Sequence, residues 1–123
     1  MQFKQVLFAL SLLVPMATIA APKGFVDPTG FKGTEAEKQA VIGYIQAKTK
    51  KDMQSVGMDN PATLRMMEKT NLDAFKKLTE ATDKKLLKKV VKTYCDQIDM
   101  CTYQNLQMMY DRDLDASKQN LSW

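Results

Sequence analysis

From Thr34 onward apolar residues recur at three- and four-residue steps, segment after segment, and this period limits the folds open to the chain. The first segment opens on Thr34-Glu35-Ala36-Glu37, which has the Ser/Thr-x-x-Glu form of a capping box. In that arrangement threonine and glutamate reciprocally satisfy backbone N–H groups left free at a helix start. Val41, Ile42, Ile45, Thr49, Met53 and Val56 then form one stripe, and Gly57 offers a stop. A second start lies at Asp59-Asn60-Pro61, where a cap residue precedes a proline in the first turn. Its stripe is Leu64, Met67, Leu72, Phe75 and Leu78. Thr70-Asn71 interrupts it with two residues that favour caps over helix interiors, which leaves open one helix or two.

A third start at Asp83 leads into Lys84–Cys95, where apolar and basic pairs alternate with the helical period. A wheel at about 100° per residue sets Leu86, Leu87, Val90, Val91 and Tyr94 on one half, with Lys84, Lys85, Lys88, Lys89 and Lys92 on the other. Tyr103, Leu106, Tyr110 and Leu114 mark a last helix whose stripe extends to Leu121. No segment alternates in the manner of a strand hairpin, and no long repeat occurs. The expected class is all-α, a single domain of four or five amphipathic helices over residues 34–123.

The start of the chain reads differently. Lys4 precedes the apolar run Val6–Val14, followed by Pro15 and the small residues Ala17-Thr18-Ile19-Ala20-Ala21. This is the layout of a cleavable secretory signal. The run is shorter than the roughly 18 residues a bilayer span requires. Residues 1–20 are therefore expected to be removed after Ala20, giving an exported protein, periplasmic or secreted, with no transmembrane segment in its mature chain.

Export gives the cysteines their meaning. Cys95 and Cys101 are the two in the sequence, and oxidising conditions favour their pairing. In a continuous helix, residues six apart are separated by about 9 Å along the axis, beyond the roughly 7 Å that a bridge tolerates between Cα atoms. The bond thus requires the helix to break within Asp96–Met100. Closing so short a loop is worth about 2 kcal/mol in the chain-entropy model.

Residues 21–33 contain Pro22-Lys23-Gly24-Phe25-Val26-Asp27-Pro28-Thr29-Gly30-Phe31-Lys32-Gly33, too rich in Gly and Pro for a helix or a central strand. They are expected to form an extended arm. Phe25 and Phe31 either fold back onto the domain as hooks or present the arm to a partner.

Composition narrows the chemistry. The sequence has no histidine, which removes the commonest general base together with the commonest metal ligand. Pairing of Cys95 with Cys101 leaves no activated thiol, and no Gly-rich phosphate loop is present. Asp111-Arg112-Asp113-Leu114-Asp115 resembles the opening of a calcium loop, but Ala116 stands where that loop needs glycine and Ser122 where it needs a bidentate acid. Met66-Met67 and Met108-Met109 offer thioethers for copper(I), yet they lack the ladder spacing of a metal site and read more simply as adaptable core filler or as part of a plastic binding surface. The expectation is a non-enzymatic chain with no cofactor and no metal.

The charge pattern is what remains. The formal net charge is +4, with lysines crowded over residues 76–92 and aspartates over 96–115. One reading has the five lysines of the third helix solvated and partly paired with acids of a neighbouring helix. The other makes them a docking surface for an acidic protein, a polyanion or an anionic membrane surface. Nucleic acid fits poorly, since arginine is scarce and no aromatics interleave the basic face. The expected function is an exported binding module of chaperone, inhibitor, immunity or adapter type. It acts through Lys84, Lys85, Lys88, Lys89 and Lys92, through Phe25 and Phe31, or through both sets. The alternative is a small-ligand or metal-binding envelope protein.

Overall fold

The computed structural model describes residues 21–123; the expected export signal, residues 1–20, lies outside them. Four α-helices make up the domain: α1 (Glu35–Ser55), α2 (Pro61–Thr79), α3 (Lys84–Val91) and α4 (Tyr103–Ser117). The arm precedes α1 and carries a single 3₁₀ turn, Pro28–Gly30. α2 packs against both α1 and α4, and α3 lies against α4.

Each helix begins where a side chain can accept its free N–H groups. Thr34 and Glu37 form the complete capping box at α1. Asn60 accepts from Thr63, Asp83 from Leu86 and Thr102 from Asn105. α1 ends at Gly57, whose φ of 70° is open to glycine at little cost. There Met58 N–H donates to Met53 O at 2.9 Å and Gly57 N–H to Gln54 O at 3.2 Å, the paired bonds of a Schellman stop.

α2 runs unbroken through Thr70-Asn71. Thr70 returns its hydroxyl to Met66 O, while Asn71 is turned inward and buried. α4 ends at Ser117, short of the stripe's expected reach, and Leu121 is fully exposed. Trp123 is fully exposed as well, so no apolar burial beyond Ser117 offsets the ordering of residues 118–120.

The third helix leaves α geometry earlier than the cysteine argument requires. Regular α3 stops at Val91, and Lys92–Gln97 widen into a π turn before Ile98 becomes extended. Ile98 N–H donates to Thr93 O at 3.1 Å, the five-residue step of that wider turn. The chain therefore reverses inside Asp96–Met100, bringing Cys95 and Cys101 to a Cα separation of 4.5 Å in a disulfide.

The core is built from Val41, Tyr44 and Ile45 of α1, Ala74, Phe75 and Leu78 of α2, Leu87, Val90 and Val91 of α3, and Tyr103, Leu106 and Tyr110 of α4. Its centre is aromatic. Tyr103, with no exposed surface, meets Phe25 in a stacked pair at 5.5 Å. It meets Phe75 edge-on at 4.8 Å and Tyr44 edge-on at 5.5 Å. Such pairs add specific geometry to simple area burial.

Three tyrosines of this core use their hydroxyls to hold loops. Tyr44 donates to Cys101 O, fixing the disulfide corner to α1. Tyr103 donates to Val26 O at 2.9 Å and accepts from Val26 N–H at 3.2 Å, fixing the arm to α4. Tyr110 accepts from Asp83 N–H at 3.1 Å, fixing the start of α3. Buried backbone polar groups outside regular helices need such partners, and phenols supply them from within an apolar core.

Candidate lysine face and aromatic arm

The five lysines singled out from sequence lie together on the outer side of α3 and its π extension. Asp83 starts the helix through its bond to Leu86 N–H at 2.9 Å. Leu87, Val90 and Val91, exposed by 1%, 2% and 8%, commit the opposite side to the core. Lys84, Lys85, Lys88, Lys89 and Lys92 are all exposed as a consequence. Lys88 and Lys89 occupy the last turn of α3, where the helix dipole favours positive charge.

These lysines are not partnered by acids of the neighbouring helix, as one reading of the sequence expects. Among the described residues the ion pairs are Lys48–Asp52, at 2.8 Å within α1, and Arg65–Glu68, at 2.5 Å within α2. α4 does bring Asp113 to the edge of the basic face, where a shallow cleft of about 240 Å³ is lined by Leu86, Lys89, Tyr94 and Asp113. Lys89 and Asp113 flank this cleft without forming an ion pair. The α3 ammonium groups thus form a basic surface in which no lysine is ion-paired among the described residues.

Phe25 and Phe31 sit elsewhere. Both rings are half-buried against the domain. Phe25 packs on Tyr44 and Tyr103, and Phe31 meets Phe75 edge-on at 4.9 Å. Neither borders the lysine cleft. Asp27 orders the intervening turn by accepting from Thr29 N–H at 2.8 Å and from the Thr29 hydroxyl at 2.7 Å.

The methionine pairs divide. Met67 and Met109 are half-buried, whereas Met66 and Met108 are exposed by 62% and 53%. Successive helix residues point about 100° apart, and here one of each pair turns toward the core while the other turns to solvent. Among the described residues no three acidic or thiol side chains converge as a metal-holding group. No described helix is long and apolar enough to cross a membrane.

Two groups show strong electrostatic effects of burial. Desolvation pushes the Tyr44 phenol well above its ordinary value, with Asp52 and Asp99 adding to the effect. Tyr103 is likewise raised by burial, against a smaller opposing effect of its bond to Val26. Both remain neutral hydrogen-bonding groups and bring no titrating group to the lysine face.

Sequence patterning marks Asn71 only as a possible helix boundary and does not point to its partner or to the outer edge of the α1–α2 seam. Asn71 Oδ1 accepts from Gln104 N–H at 3.1 Å, so a residue interior to α2 caps α4. Its amide also donates to Met67 O at 2.9 Å. The available signal was a polar residue continuing the apolar stripe of an otherwise regular helix. The chain matches no protein-family model, no curated protein and no solved structure.

Proposed function

We propose that this chain is an exported, non-enzymatic binding module that docks an acidic macromolecule on the lysine face of α3. The observation that carries the reading is the exposure of Lys84, Lys85, Lys88, Lys89 and Lys92 on one surface, with no acidic partner at ion-pair distance among the described residues. A concentrated field of one sign raises encounter rates with an oppositely charged partner and gives binding a strong salt dependence. The rigid support beneath the face, through Leu87, Val90 and Val91, lowers the cost of presenting it.

Export follows the layout of residues 1–20, and the Cys95–Cys101 bond suits an oxidising compartment. The arm serves the domain through Phe25 and Phe31, and adds to a partner surface only through what these rings leave exposed.

The test is capture from an envelope extract at low salt, with the oxidised mature protein beside Lys85→Glu/Lys88→Glu/Lys89→Glu. A specific partner, released by salt and lost in the variant while helical circular dichroism is unchanged, is the expected result. A partner retained equally by the variant would exclude the lysine face.

A further inference from the structure

We propose a second site, remote from α3: an apolar groove between α1 and α2 that takes a linear-chain carboxylate of the fatty-acid class. The groove encloses about 380 Å³, within the range of small-molecule sites, and its wall is formed by Phe31, Ile42, Leu72 and Phe75. Lys38 and Lys76 complete it, and no carboxylate lines it. Both lysines are exposed and neither is in an ion pair among the described residues.

A second hollow of about 260 Å³ shares Ile42 and Leu72 with the first and continues along the seam toward Arg65 and Lys69. Its one acid, Glu68, is already engaged by Arg65. Two adjoining carbon-lined hollows with ammonium groups at their borders match a ligand having one anionic end and a long apolar body. A compact anion would leave the carbon surface of these hollows in water, and a cationic amphiphile would meet like charge.

The arm contributes to this site. Phe31 closes one wall by its edge-on contact with Phe75, and Glu37 accepts from Lys32 N–H at 3.1 Å, which holds the arm's exit beside it. None of the α3 lysines lines the groove, so this proposal and the lysine-face reading stand or fall separately.

Calorimetric titration with dodecanoate, hexanoate and dodecyltrimethylammonium, each below its micelle concentration, tests the assignment. Burial of each methylene strengthens binding by roughly fourfold when complete. Dodecanoate should therefore saturate one site at least tenfold more tightly than hexanoate, and the cationic amphiphile should bind at least tenfold more weakly than dodecanoate. Lys38→Glu/Lys76→Glu should weaken dodecanoate by roughly tenfold without changing helical circular dichroism. Lys85→Glu/Lys88→Glu/Lys89→Glu should leave it unchanged. Equal affinity for the two carboxylates, equal affinity for either headgroup charge, or saturation by an acidic amphipathic peptide with none by dodecanoate would overturn the proposal.

Discussion

Asn71, in the middle of α2, accepts the backbone N–H of Gln104 at the second position of α4. With Thr102 accepting from Asn105, two of the free N–H groups at that helix start are satisfied by side chains, one of them from another helix. Asn71→Ala would remove the acceptor of this part-buried bond together with the amide that donates to Met67 O. The expected cost is about 1–3 kcal/mol in urea unfolding. Asn71→Asp retains an acceptor but loses the donor to Met67 O, and should also destabilise.

Tyr103 holds the arm by two hydrogen bonds to Val26 and by stacking with Phe25. Tyr103→Phe keeps the ring and removes only the hydroxyl. Stability should fall by about 1 kcal/mol, and trypsin should cut at Lys23 or Lys32 faster than in the parent, because the arm has lost its backbone tether. Unchanged cleavage would show that ring packing alone secures the arm.

Reduction of Cys95–Cys101 should cost about 2 kcal/mol, since the closed loop is short. The corner is also held by Tyr44, which donates to Cys101 O from the core. The reduced protein is therefore expected to remain helical with a lowered Tm, as read by circular dichroism with and without reductant. Complete loss of helix would contradict this division of labour.

Acid and alkali should act through different groups. The Lys32 N–H and then the Thr34 hydroxyl hold the Glu37 carboxyl below its ordinary value of 4.5. A depressed folded pKa gives stability that is present above the unfolded value and lost as pH falls through the folded one. Glu37→Gln should lower Tm near neutrality, and the gap to the parent should close as pH falls below about 4. For Tyr44 and Tyr103 the sign reverses: both are raised above 10.0, so their contribution is intact below that pH and fades above it. Both phenols should resist ionisation in ultraviolet titration until the protein unfolds.

Much of this architecture is legible in the sequence because local rules and tertiary packing agree. Thr34 with Glu37, Asn60 before Pro61, Asp83 and Gly57 mark helix ends by backbone chemistry that depends on immediate neighbours. Cys95 and Cys101 force a reversal because no helix can bridge that spacing. Asn71 is different: its propensity points to a cap, and it does act as one, but for a helix 33 residues away along the chain. Only the packing of α2 on α4 brings the two together.

The α1–α2 groove follows the same rule. Lys38 precedes Val41 and Ile42 at helical steps, and Lys76 follows Leu72 in the same manner, so each helix carries a lysine on the margin of its apolar stripe. Neither segment by itself shows that the two margins flank one groove. The lysine face of α3 was easier to find because all of its charge lies on one short stretch of chain.

The most direct test of the lysine-face reading sets Lys85→Glu/Lys88→Glu/Lys89→Glu beside a charge-matched control, Lys50→Glu/Lys51→Glu/Lys69→Glu, whose lysines are exposed on α1 and α2. Quantified low-salt capture from the same envelope extract should show loss of the partner only for the α3 variant. Equal loss in both would reduce the effect to net charge, and retention in both would contradict a docking role for α3.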